Sequence, residues 1–134
     1  MRKLLPLLAL FLLAMSAVAK PHRVVIEATN AGQFGFRGLL ESIENLRKGL
    51  APDPVTIEVV CRGGALDMLL SHANPVASVV QKAQKDGVIF AACGNTMRAR
   101  HVAQGRLLPN VAVVPAGIAE VVLRQEEGYS YLRE

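Results

Sequence analysis

Two thiols stand where thiol chemistry is possible. Cys61 closes the run VTIEVVC (55–61) and is followed by Arg62, Gly63 and Gly64; Cys93 closes VIFAAC (88–93) and is followed by Gly94, Asn95 and Thr96. A thiol becomes a nucleophile or a sulfur acceptor only as its anion, so what surrounds the sulfur decides the chemistry. After Cys93 the residues read as a helix start. The free backbone N–H groups and positive dipole end of such a start favour a negative charge. Asn95 or Thr96 can cap that helix, Gly94 keeps the approach to sulfur open, and Arg98 or Arg100 adds positive charge if it turns back toward the thiol. Against this stands a plainer reading, that a cysteine ending a core strand is a small buried apolar filler. The spacing leaves both open. Cys61 is a possible second thiol, but Arg62-Gly63-Gly64 is already sufficient as turn chemistry. Asn30, at the end of the first apolar run, either contacts a ligand or caps a loop.

Other chemistries lack their residues. His22, His72 and His101 do not form the close ligand pairs of a zinc site, and no metal is expected. Neither a Ser-His-Asp set nor a paired-carboxylate site is suggested. Gly32, Gly35 and Gly38 are spaced GxxGxxG, which is neither a dinucleotide fingerprint nor a phosphate loop, so no nucleotide cofactor is expected. The basic residues are scattered and aromatics are few, leaving nucleic-acid binding without a footprint.

Residues 1–19 have the three-part pattern of a signal peptide: Arg2 and Lys3, an almost wholly apolar stretch from Leu4 to Met15, and Ala17-Val18-Ala19 as a cleavage motif. The apolar stretch is short of the about 20 residues that a membrane-spanning helix needs. The expectation is cleavage before Lys20, export to the periplasm or beyond, and no stable membrane anchor afterwards. Residues 20–134 then form one domain. Loss of Arg2 and Lys3 lowers the net charge from +4 to +2.

The elements that position the thiols alternate. His22 to Ala28 is a β-branched strand. Phe36, Leu39, Leu40, Ile43, Leu46 and Leu50 recur at helical spacing. Val55 to Cys61 is the second strand, and Ala65 to Leu70 a short helical turn. Asn74-Pro75 starts a helix whose inward stripe is Val76, Val79, Val80 and Ala83. Val88 to Cys93 is the third strand, buried on both faces. A short helix follows from about Thr96 to Ala103, then a strand from Val111 to Pro115. The last helix, Gly117 to Glu127, directs Ile118, Val121 and Val122 inward, and Tyr129 to Arg133 adds an edge strand. Strands separated by helices give right-handed crossovers, hence a three-layer α/β sandwich around a mostly parallel sheet of four to five strands.

Ligands bind such sheets beyond the carboxyl ends of the strands. Those ends are Thr29-Asn30, Cys61 to Gly64, Cys93 to Thr96 and Pro115 to Gly117, so both thiols share one rim. With a strand order 2-1-3-4 the two cysteine strands would be separated by the first strand, about 9–10 Å apart. A disulfide needs Cα atoms within about 7 Å, so this order argues against a Cys61–Cys93 bond, although an exported chain with two cysteines otherwise suggests one.

The segments TIEVVCRGGALDML (56–69), FAACGNTM (90–97) and VVPAGIAEVVLRQEEGYSYLR (113–133) resemble the DsrE/DsrF-like sulfur-relay family over nearly all of residues 20–134. The resemblance implies a flavodoxin-like fold, homotrimers or hexamers, and a cysteine that carries sulfur as a persulfide. Cys93 is the matching position. The family's sulfur-relay members are cytoplasmic, so an exported member needs a donor and an acceptor, protein or small thiol, outside the cytoplasm.

Three readings follow. In the leading one, Cys93 takes sulfur from a donor, holds it as a persulfide and passes it on, with Gly94, Asn95, Thr96, Arg98, Asn30, Arg62, Gly63 and Gly64 around it. In the second, the rim is a non-catalytic small-ligand or protein-binding module of an oligomer, with structural thiols. The third is a thiol redox protein using a Cys61–Cys93 disulfide. The tail residues Tyr129, Tyr131 and Leu132 suit a subunit contact under either of the first two.

Overall fold

The computed structural model describes residues 18–134; the expected signal peptide lies, but for its last two residues, outside the described residues. Five strands, β1 (His22–Ala28), β2 (Val55–Cys61), β3 (Ile89–Cys93), β4 (Ala112–Val114) and β5 (Ser130–Arg133), form one all-parallel sheet. Helices α1 (Gln33–Leu50), α2 (Ala77–Lys85), α3 (Gly94–Ala99) and α4 (Gly117–Glu126) connect them, with a 3₁₀ segment at Gly63–Leu69. This is the expected three-layer α/β arrangement, flavodoxin-like in its parallel sheet and flanking helices.

The strand order is β4-β3-β2-β1-β5, not one in which β1 separates β2 from β3. From β1 to β4 the chain steps in one direction, each strand pairing with the next. Right-handed crossovers in a constant direction put every connection on the same face. The step from β4 to β5 runs back across the whole sheet, so its helix α4 lies on the other face, against β1, β2 and β3.

The two faces differ in thickness. On the first, Val24, Ile26, Ile57, Val59, Cys61, Phe90 and Ala92 meet Phe36, Leu39, Leu40 and Ile43 of α1, Leu66 and Leu69 of the 3₁₀ segment, and Val76 and Val80 of the α2 region. Each large side chain buried here contributes roughly 1.5–3 kcal/mol relative to exposure. On the second face the buried apolar set is Val25, Val60, Ala91 and Val121. Two carboxylates, Glu27 and Glu58, are buried in the same layer.

Several expected details change. In α4 only Val121 of the three expected inward residues is buried; Ile118 and Val122 are about half exposed. The helix turns Gly117, Val121 and Arg124 inward because Glu58 beneath it requires a cation. Val79 is likewise exposed while Val76 and Val80 are buried. Strand β3 is buried from Phe90 to Cys93, but Ile89 is exposed. Asn74 accepts the N–H of Val76 at 3.1 Å, although α2 begins only at Ala77. Helix α3 starts at once after Cys93, two residues earlier than expected.

Candidate functional site

In a parallel α/β sheet the ligand crevice opens where adjacent strands send their connections to opposite faces. Here that point lies between β3, which leads into α3 on the first face, and β4, which leads into α4 on the second. Cys93 ends β3 and Gly117 begins α4. The Gly117 backbone N–H donates to Cys93 Sγ at 3.2 Å.

Sulfur alternates to the second face because Cys93 stands two residues beyond Ala91. Cys93 is also the residue from which α3 springs, in extended conformation. The N–H groups of Asn95 and Thr96 therefore lie toward the sulfur, without closing a full capping hydrogen bond. Burial, at 4% exposure, pushes the thiol up. Opposing it are the Thr96 side chain and the N–H groups of Gly117, Thr96 and Asn95, which together hold the thiol below its ordinary range. Polar groups aimed at the sulfur thus prevail over desolvation.

Two glycines make room for this. A Cβ on Gly117 would lie 3.1 Å from the Cβ of Cys93 and from Val60, and 3.4 Å from Sγ. A Cβ on Gly94 would lie 2.9 Å from the Val114 carbonyl oxygen. Neither position needs an unusual φ; each needs a close approach.

The loop after β2 supports the site indirectly. Gly63, at φ +57°, donates its N–H to Thr96 Oγ1 at 3.0 Å, which fixes the Thr96 hydroxyl beside the sulfur. Gly64 packs on Ala31 so closely that a Cβ would come within 2.6 Å of Ala31 Cβ. Arg62 does not face the thiol: its Nε donates to Glu27 Oε1 at 2.6 Å, and the Tyr131 hydroxyl donates to the other oxygen. Burial raises Glu27, but Tyr131 and Arg62 hold it below the ordinary carboxylate range. Of the two candidate arginines, Arg98 lies beside Gly94 and donates to Asn95 Oδ1. Arg100 turns away, to Asp67 at 2.5 Å and the Gly63 carbonyl at 3.2 Å. Asn30 is exposed beside α1, in a cleft with Phe36 and Glu134, and is not part of the Cys93 constellation.

Cys61 lies elsewhere despite its neighbouring strand. The ladder pairs Cys61 with Ala92, so the two sulfurs point to opposite faces. Both cysteines are free. Wide separation of the strands is therefore not what keeps them apart; the pleat is. Cys61 is wholly buried in the first-face core, and desolvation pushes its thiol well up. That removes the basis for a Cys61–Cys93 redox pair.

The sequence reading gave Glu27, Glu58 and Arg124 no role, placed Gly117 on the rim without linking it to the sulfur, and read Tyr131 as a subunit contact and not as the partner of Glu27. A lone glutamate inside each of two apolar strands, HRVVIEA and VTIEVVC, was the available signal for buried carboxylates. Burial raises the Glu58 carboxyl; Arg124 opposes this and Glu120 adds to it.

No protein-family model matches the chain, and no curated protein does. Among solved structures, the protein of unknown function MTH1491 from Methanobacterium thermoautotrophicum superposes with a TM-score of 0.79 at 32% identity, over 84% of this chain and 99% of that one. The chain belongs to the family of MTH1491. The YchN protein of E. coli superposes with a TM-score of 0.69 at 15% identity, over 84% of this chain and 99% of its own, and shares the fold. MTH1491 brings shared ancestry and architecture but no activity.

Proposed function

We propose that this protein is an extracytoplasmic sulfur carrier of DsrE/DsrF-like type, with Cys93 as the sulfur-bearing residue. The observation that carries the reading is the Gly117 N–H on Cys93 Sγ at the switch point of the sheet. The fold shared with YchN, a DsrE-like fold, is compatible with sulfur relay at the level of the fold.

In the forward step the Cys93 thiolate attacks the outer sulfur of a donor R–S–SH. The Cys93 S–S bond forms, the donor S–S bond breaks, and R–S⁻ leaves with the electron pair. An acceptor thiolate then attacks the outer sulfur of Cys93–S–SH, taking it as a new persulfide and restoring the Cys93 thiolate. Neither step requires an external oxidant or reductant. The N–H groups that stabilise the anion do so before loading and after unloading, which keeps Cys93 a competent leaving group as well as a nucleophile. The exposed apolar side chains of α4, Ile118, Val122 and Leu123, fit the homo-oligomer that the family resemblance implies.

Intact-mass measurement after incubation with inorganic polysulfide tests the reading. The expected result is a gain of sulfur that dithiothreitol removes and that Cys93→Ala abolishes. Absence of any gain on the folded protein would contradict it. One observation favours a second reading, a binding module with structural thiols: Cys93 is only 4% exposed. On that reading Cys93→Ala leaves the protein's ligand and assembly unchanged and no sulfur is gained.

A further inference from the structure

Helix α4 has a thin apolar seat. Val121 is its buried hydrophobic side chain, resting among Val25, Val60 and Ala91. Val114 and Tyr129, partly buried, pack against the same cluster, and the directional hold on the helix is ionic. Glu58, in the middle of β2, is 1% exposed, and Arg124 of α4 reaches down to it with Nε 2.5 Å from Oε2. Arg124 also contacts Glu120 at 3.0 Å and Glu127 at 2.9 Å, and its guanidinium lies 5.5 Å from the Tyr129 ring centroid. The Glu58 contact is a close ion pair rather than an aligned hydrogen bond, leaving Glu58 Oε2 and Arg124 Nε without a properly directed partner.

Gly117, Val121 and Arg124 recur at spacings of four and three, one stripe of the helix. The stripe is rigid over about 10 Å, at about 1.5 Å rise per residue. One end of it is fixed on a buried carboxylate; the other presents the N–H that reaches Cys93 Sγ. An apolar seat of small or medium side chains, Val25, Val60 and Ala91 beneath Val121, tolerates sliding and rotation, because hydrophobic contact is non-directional. An ion pair with a buried carboxylate does not.

We propose that the Glu58–Arg124 pair is a positioning device for the thiol: it sets the register of α4 on the sheet and thereby keeps the Gly117 N–H on Cys93. Neither residue touches the sulfur, and both act through the helix. The inference rests on Cys93 being the stabilised thiol, but not on sulfur transfer.

The test is the pH profile of Cys93 alkylation by iodoacetamide, resolved by peptide mass, in the full chain and in Glu58→Gln, Arg124→Met and Arg124→Lys. The Cys61 thiol serves as an internal reporter of folding, since it reacts only when the core opens. With Cys61 protected, Glu58→Gln and Arg124→Met are expected to move the Cys93 midpoint up by about one pH unit, tenfold in the thiolate fraction at neutral pH. Arg124→Lys keeps the charge and is expected to recover part of the shift. A midpoint unmoved in Glu58→Gln and Arg124→Met with Cys61 protected overturns the inference. Exposure of Cys61 in all three variants overturns it too, because the pair then holds the fold and not the thiol. An ordinary thiol profile in the unsubstituted chain instead removes the site reading beneath it, which separates the two failures.

Discussion

Cys61 and Cys93 end neighbouring strands, and the ladder sets Cys61 opposite Ala92, one residue short of Cys93. That one-residue offset puts Cys61 in the thick apolar layer beneath α1 and α2, with no polar group to favour its anion. It puts Cys93 at the thin layer, where α4 begins and α3 springs away, among N–H groups and the Thr96 side chain. Little of either residue is exposed, but Cys61 is enclosed by the core on all sides while Cys93 lies near the surface at the rim, so desolvation weighs less on it. The direction of the nearby dipoles completes the distinction. Within one sheet, the same residue type becomes core filler or stabilised thiol according to which face the pleat assigns it.

The contrast can be broken most severely at the sulfurs themselves. Cys93→Ala should abolish polysulfide-dependent mass gain completely, while Cys61→Ala leaves it intact; mass spectrometry of the two variants decides this. Next in size is Gly117→Ala. The added Cβ, 3.1 Å from Val60 and from Cys93 Cβ, forces the helix start away and weakens a charge-assisted hydrogen bond worth about 1.5–3 kcal/mol. The Cys93 midpoint should rise by roughly 1–2 pH units in an alkylation titration, and Cys61 should remain unreactive. Thr96→Val removes the hydroxyl that Gly63 orients and should raise the same midpoint by about one unit.

The smallest effect concerns stability rather than the thiol. Glu27 is held below its ordinary value of 4.5 by Tyr131 and Arg62, against its burial. A carboxyl with a depressed folded-state value contributes stability that is present above the unfolded value and lost as pH falls through the folded one. Arg62→Gln should therefore cost about 1–2 kcal/mol near neutral pH, discounted for the partial exposure of Arg62, and less in acid. Urea unfolding of the two proteins at neutral and acid pH measures that difference. No change in the Cys93 profile is expected, since Arg62 faces Glu27 and not the sulfur.

Much of this architecture was legible in the residues. The β-branched runs, the Phe36–Leu39–Leu40–Ile43 stripe and the glycines after each strand located the elements and gathered both cysteines on one rim. Strand order was not legible. The expected order reversed the chain after β2, with β1 between β2 and β3; instead the chain steps one way from β1 to β4, and nothing in the three-residue β4 or in YSYLR says that it then returns past β1. That return puts α4, alone among the described helices, on the second face and creates the switch point at Cys93. The inward side of α4 was misassigned for a related reason: Ile118 and Val122 are more apolar than Gly117 and Arg124, but Glu58 demanded a cation and Cys93 a helix start without a side chain. Local pattern predicts burial where the facing layer is apolar. It fails where that layer holds a carboxylate and a thiol.

The most direct measurement is the alkylation rate of Cys93 in the native full chain as a function of pH. The expected result is a midpoint below the ~8.5 of a free thiol, with Cys61 silent throughout. A Cys93 midpoint at or above that value, in a protein whose Cys61 stays protected, would contradict it and make both thiols structural.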